Sequence, residues 1–178
     1  MLSTVNQIFG LLTVIAEFAS IAALIYLVLP TSFRNKRLDD FIGGKGIVFA
    51  FITALTATLG SLFYSEVAGY VPCELCWYQR IFMYPQVILL GLAWLRKEIN
   101  IIKYSLSLAS VGLVFALYHS YIATGAATTT FCSVTGGVSC LQRYVYVYNY
   151  ITIPIMALTA FVLIIIMLIF ASRKTTSK

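Results

Sequence analysis

The sequence predicts an all-α integral membrane protein crossing the bilayer with five helices. Three observations carry that prediction. Of the 178 residues, 61% are hydrophobic and only 10% are charged, against roughly a quarter charged in an average soluble domain, so charges are too few to coat a surface facing water. The apolar residues gather in runs of about 20, the length that spans a ~30 Å hydrocarbon core at 1.5 Å per residue. The basic residues fall between alternate runs, the pattern of a multi-span protein.

The first run, Ile8–Leu29, is interrupted only by Glu17. It is too long for a signal-peptide core and has no basic residue before it. Pro30 and basic residues follow it in place of a small-residue cleavage site, so it reads as a span. The second run covers Gly46–Glu66, the third Trp77–Leu95, the fourth Ile101–Ala123 and the fifth Ile151–Ala171. Pro85 is expected to kink the third. No soluble domain, internal repeat or low-complexity linker remains. The residues from Ser172 read as a short polar tail.

Orientation follows from charge. Arg34, Lys36, Arg37 and Lys45 lie between spans one and two, Arg96, Lys97 and Lys103 flank the turn between three and four, and Arg173, Lys174 and Lys178 follow span five. These ten of the twelve Lys and Arg residues share one side only if the N-terminus faces the other. The positive-inside rule makes their side cytoplasmic. The net charge of +6 is therefore a topology signal with some attraction to anionic membrane lipid, and it marks no nucleic-acid site.

This topology places all four cysteines outside the cytoplasm, where disulfides persist. Cys73 and Cys76 lie between spans two and three, Cys132 and Cys140 between spans four and five. Cys-x-x-Cys spacing lets two sulfurs meet across one turn and lowers thiol pKa. Pro72 precedes the motif and an apolar run follows, so Cys76 is expected in the first turn of span three, beside unpaired backbone N–H groups and the positive end of the helix dipole. Arg80 is one helical turn further on the same face. A guanidinium there either favours the Cys76 thiolate or an oxygen of a bound oxidant, or it is a snorkelling anchor. The second pair sits in a polar segment with Gly136 and Gly137 between the cysteines. An accessible disulfide there would exchange with a soluble partner.

Other readings of the same residues remain open. Four cysteines can form a zinc site, although seven residues separate the second pair and zinc leaves Arg80 without a role. Both pairs can be structural disulfides. A transporter would be expected to carry more intramembrane charge than Glu17, which reads as a snorkelling or paired residue. Glu66 reads as interfacial. Tyr144, Tyr146, Tyr148 and Tyr150 read as interfacial belt anchors or as an amphipathic lip. Tyr78, Phe82 and Met83 could line a pocket or face lipid equally well.

The stretch Pro72-Cys73-Glu74-Leu75-Cys76-Trp77-Tyr78-Gln79-Arg80-Ile81-Phe82-Met83-Tyr84-Pro85 resembles the signature of the DsbB/BdbC family of disulfide-bond-formation membrane proteins. Thr152-Ile153-Pro154, opening the last span, resembles its short Gram-positive-type members. The resemblance covers residues 46–171 and implies a four-helix core. Residues 1–45 then form an additional N-terminal span with a basic cytoplasmic loop, and residues 172–178 a cytoplasmic tail. The implied location is the bacterial cytoplasmic membrane.

By that resemblance the activity is thiol oxidation coupled to a membrane quinone, ubiquinone or menaquinone. The partner is a DsbA-like thioredoxin-fold oxidase. Cys132 matches the cysteine that forms the mixed disulfide with the partner, Cys140 its mate, and Cys73 the acceptor of electrons from that pair. Cys76 matches the cysteine nearest the quinone and Arg80 the arginine beside it. His119 resembles a family histidine near the quinone, although a lone helical histidine is also an ordinary packed residue. The competing readings are a vitamin K epoxide reductase-like enzyme and a non-enzymatic scaffold with structural cysteines. The former family usually carries its Cys-x-x-Cys toward the end of the bundle.

Overall fold

The computed structural model describes residues 2–30, 34–125 and 139–176. Cys132 and the Gly136-Gly137 segment lie outside the described residues. Helices dominate: α1 (Leu2–Val28), α2 (Lys36–Leu62, continued by a π-helical turn, Phe63–Val67), α3 (Glu74–Arg96), α4 (Ile101–Ala123) and α5 (Ile153–Thr176). No strand forms among the described residues, and Val147 and Ile151 make one isolated bridge.

The five runs became five helices, but most extend beyond the apolar segment that marked them. The largest difference is in α2, which begins at Lys36 rather than Gly46. The side chain of Asn35 accepts from the Arg37 N–H at 3.0 Å, satisfying one orphan donor of the first turn. Asp39 in that turn complements the dipole and pairs with Arg34 at 2.8 Å. Hydropathy marks only the part of a helix that meets lipid, so this charged entry was invisible to it. At its other end α3 closes on Lys97, whose φ of 55° is the left-handed cap conformation, and Pro85 lies inside α3 without ending it.

Four helices are long and apolar enough to cross a membrane: α1, α2 with its π turn, α4 and α5. Although α3 has 23 residues, about 35 Å at 1.5 Å each, it holds Gln79, Arg80 and Gln86 in its interior and is not among them. Its polar groups point inward. Gln86 and Ser105 are fully buried against one another; the Gln86 amide donates to the Ser105 carbonyl at 2.9 Å and the Ser105 hydroxyl donates back.

The packing is inverted relative to a water-soluble bundle. On α4 the buried positions include Ser105, Ala109, Gly112, Ala116 and His119, at alternating spacings of four and three, whereas Val111, Val114 and Leu117 are exposed. Lipid solvates apolar side chains as well as a protein core does, so small residues go inward, where they let backbones approach. Two glycines make this explicit. A Cβ on Gly46 would sit 2.5 Å from the Met167 carbonyl of α5, and one on Gly112 would collide with the Phe161 ring. The chain neighbours α2–α3, α3–α4 and α4–α5 pack on each other and α5 returns to α2, closing a four-helix ring with α1 laid on α5. The N-terminal end of α3, the C-terminal end of α4 and the segment before α5 meet at one end of that ring.

Candidate active site

Cys73 is the N-cap of α3 in extended conformation (φ −73°, ψ 171°), and its carbonyl accepts the Trp77 N–H at 3.1 Å, starting the helix. Cys76 is therefore in the first turn, as the spacing predicts. Both are free thiols, with sulfurs 3.0 Å apart. A disulfide needs an approach of only about 1 Å more, so the pair is set to oxidise with little backbone movement.

His119, in the last turn of α4, reaches this pair. Its Nδ1 lies 2.9 Å from the Gln79 amide nitrogen and its Nε2 lies 3.7 Å from the Cys73 sulfur. Because the amide nitrogen donates, Nδ1 accepts and the ring proton sits on Nε2, facing the sulfur. The Cys73 thiol is held well below its ordinary pKa, first by the hydrogen bond with Cys76 and then by His119, with burial opposing both. A depressed pKa keeps the thiolate present below the usual thiol value near 8.5 and loses it only as pH falls through the lowered value. Alkylation of Cys73 in reduced protein should therefore stay fast from about pH 8 down to about pH 5, and His119→Leu should move the midpoint back upward. Coincident profiles would remove His119 from the account of Cys73 acidity.

Cys140 completes the cluster. It is disulfide-bonded and buried, and its sulfur, the Cys73 sulfur and a ring nitrogen of His119 all lie within 4.8 Å of one another. The trio resembles a half-built metal site, but a sulfur in a disulfide offers no thiolate to a metal. The grouping fits sulfur exchange better than zinc. Arg143, which the sequence reading passed over, ties the Cys140 segment down: its Nε and Nη2 donate to the Ala123 carbonyl at the end of α4, at 3.0 and 2.6 Å. Tyr144 stacks on Tyr70 at 4.6 Å, and Tyr70 on Tyr64 at 5.8 Å. At least one of the tyrosines read as belt anchors thus braces the site from inside.

Arg80 turns toward α2. Its Nε donates to Ser61 Oγ at 2.9 Å and its Nη2 to the Ser61 carbonyl at 3.1 Å, while Tyr84 donates to the same Oγ at 3.2 Å. The guanidinium also lies 5.2 Å from the Trp77 ring centroid. Two of five N–H donors are thus directed at Ser61, and the charge makes no ion pair among the described residues.

Cys73, Cys76, Arg80, His119 and Cys140 all line one cavity of about 330 Å³, walled by α1, α2, α3 and α5 with the C-terminal end of α4, and mostly apolar. Of the three aromatic or sulfur side chains considered for such a pocket, Met83 lines it, whereas Tyr78 and Phe82 stack on Phe115, at 5.1 and 5.5 Å. Gln79 and Ser61 were missed. Gln79 was legible as an uncharged polar residue beside Arg80 in an apolar span; Ser61 gave no signal, because its role depends on which helix neighbours α3.

Residues 45–171 match the family model described as disulfide bond formation protein DsbB. The chain is 42% identical over 132 residues to a probable disulfide formation protein C of Halalkalibacterium halodurans, covering 74% of this chain and 93% of that one. It is 42% identical over 123 residues to disulfide bond formation protein C of Bacillus subtilis, covering 67% of this chain and 89% of that one. A probable disulfide formation protein C 1 of Bacillus anthracis is 46% identical over 108 residues, covering 61% and 78%. No solved structure matches significantly. An apolar helical bundle, a pair of free thiols in contact and a disulfide beside them are what membrane-embedded thiol oxidation requires, and the chain belongs to the DsbB family of membrane oxidoreductases that act in disulfide bond formation.

Proposed function

We propose that the chain re-oxidises an exported DsbA-like thioredoxin-fold dithiol protein and passes the two electrons to a membrane quinone, ubiquinone or menaquinone. One observation carries this reading: Cys140 reaches the same cavity as Cys73 and Cys76, with its sulfur beside that of Cys73 and with Cys76 sharing the wall with Arg80. The cavity suits a quinone head. It is mostly apolar, it has a guanidinium with donors to spare, and it holds a thiol in its wall. Arg80 and Cys76 would hold the head, and a quinone bound there supplies a two-electron, two-proton acceptor.

The protein steps balance sulfur by sulfur. A partner thiolate attacks Cys132, breaking the Cys132–Cys140 bond and freeing Cys140. Cys140 attacks Cys73 of an oxidised Cys73–Cys76 pair, forming Cys73–Cys140 and releasing Cys76. The partner's second thiol displaces Cys132, which attacks Cys140 and expels Cys73. A lower leaving-group pKa speeds such exchange, which gives the depressed Cys73 pKa a purpose. Cys73 and Cys76 then carry the two electrons. Four-helix core and N-terminal helix are arranged, in this reading, with the cysteine end outside the cytoplasm of a bacterial cell membrane.

The test uses the purified full chain in lipid, a reduced thioredoxin-fold dithiol protein, and either quinone. Loss of partner thiols and formation of quinol should proceed together, one disulfide per quinol. A partner retaining only its attacking cysteine should accumulate a mixed disulfide that maps to Cys132. Folded protein that turns over with neither quinone would sink the proposal.

A further inference from the structure

The helix that precedes the family match has a defined place in the site. Residue 45 opens the matched region, so all of α1 lies before it. Gly10, Thr13 and Ser20 of α1 are buried, and Glu17 shares their spacing of three and four. The Glu17 carboxylate accepts from the Tyr150 hydroxyl at 2.7 Å, and its other oxygen lies 3.3 Å from the Thr159 hydroxyl, which also donates to the Ile155 carbonyl at 2.9 Å, so Glu17 ties α1 to α5 and to the segment before it. An acceptor in the apolar zone is thereby satisfied, which accounts for the lone acidic residue of span one. Phe9 fixes the height: its ring lies against Gly60, the residue before the serine that holds Arg80, and 5.8 Å from the Tyr64 ring.

From that level α1 runs away from the sulfurs, and Leu12, Thr13 and Ala16 line the same cavity as Cys76 and Arg80. The Thr13 hydroxyl is spent on the Phe9 carbonyl at 2.8 Å, so this wall is apolar in character. Ala160 and Leu163 of α5 and Thr53 of α2 line the remaining sides. The cavity thus has a polar end at Arg80 and an apolar side along α1, extending over about 10 Å between Phe9 and Ala16 at 1.5 Å per residue.

We propose that α1 is the tail-side wall of the oxidant site: it holds the first part of an isoprenoid chain against Leu12, Thr13 and Ala16, and makes the site selective for lipid-tailed over tail-less quinones. The inference rests on the quinone reading of the cavity. Apolar area removed from lipid gains little, so selectivity here comes from shape and close contact rather than from hydrophobic transfer.

Two photoactivatable quinones test it on the unmodified full chain in lipid, one with the reactive group on the ring and one with it on the first isoprene unit of the tail. Adducts are mapped by peptide mass spectrometry, with and without excess long-tailed quinone as competitor. The ring probe should label the Ser61 and Cys76–Tyr84 regions, and the tail probe Phe9–Ala16, both suppressed by competitor. Ring labelling in the cavity with tail labelling elsewhere would overturn the role of α1 and leave the quinone site standing. Absence of ring labelling in the cavity would overturn the quinone site itself, and this inference with it. Ala16→Phe, which fills the tail path, should weaken binding of the long-tailed quinone by about tenfold or more relative to its effect on a tail-less quinone. Equal weakening of both, or of neither, would count against a tail-side wall.

Discussion

Cys76→Ser is expected to end quinol formation while leaving the other three sulfurs able to exchange. The serine cannot complete a disulfide with Cys73, so no two-electron carrier remains beside Arg80. The Cys73 thiolate, whose sulfur lies within 4.8 Å of that of Cys140, can still attack the disulfide proposed between Cys132 and Cys140. That exchange forms Cys73–Cys140 and frees Cys132, and the chain stops there. Turnover should fall to the uncatalysed background, and peptide mapping under non-reducing conditions should find the Cys73–Cys140 bond. The volume change is slight and Cys76 lies in a first helical turn that Cys73 already caps, so folding should be retained. Turnover persisting at a tenth of wild type or more would mean that Cys76 is not the sulfur that faces the acceptor.

Arg80 carries the next largest effect. Its fork makes two hydrogen bonds to one residue, Ser61, at 2.9 and 3.1 Å, a geometry that a lysine ammonium cannot copy. Arg80→Lys should therefore keep a positive charge yet lose both the anchor to α2 and the planar presentation of the remaining donors. A charge-assisted hydrogen bond is worth about 1.5–3 kcal/mol, so apparent quinone affinity should weaken by roughly 10- to 150-fold. Arg80→Ala should cost at least as much. Neither change should prevent Cys73 and Cys76 from forming their disulfide, because no bond of Arg80 goes to either sulfur among the described residues. Turnover measured against quinone concentration separates the outcomes. Three superimposable curves would reduce Arg80 to an interfacial anchor.

What could be read in the sequence was whatever depends on spacing along one helix. Cys73, Cys76 and Arg80 occupy one turn and the next, so their grouping follows from 3.6-residue periodicity. The five helices followed from runs long enough to cross a bilayer. Contacts between helices were illegible for a physical reason: in lipid, apolar character no longer distinguishes inside from outside. Ser105, Gly112 and Ala116 form the buried face of α4, and no hydrophobic stripe marks it. Ser61 under Arg80, Gln79 on His119 and the Tyr64–Tyr70–Tyr144 stack all depend on neighbours that periodicity does not supply. The family resemblance named His119 where chemistry alone could not. The entry of α2 at Lys36 was lost because charge ends a hydropathy run without ending a helix.

The buried half of the bundle away from the cysteines has its own consequence. Below the cavity, Leu90, Ala109, Ile164 and Leu168 are fully buried in a continuous core, and Gln86 and Ser105 spend their polar groups on each other. Thiol exchange needs direct contact between sulfurs, and among the described residues this stretch holds no cysteine. Among the described residues, the cysteine cluster is thus separated from the far end of the bundle by a packed apolar core. If the two ends face an oxidising and a reducing compartment, as proposed above, the same few helices can serve both without carrying thiol exchange between them.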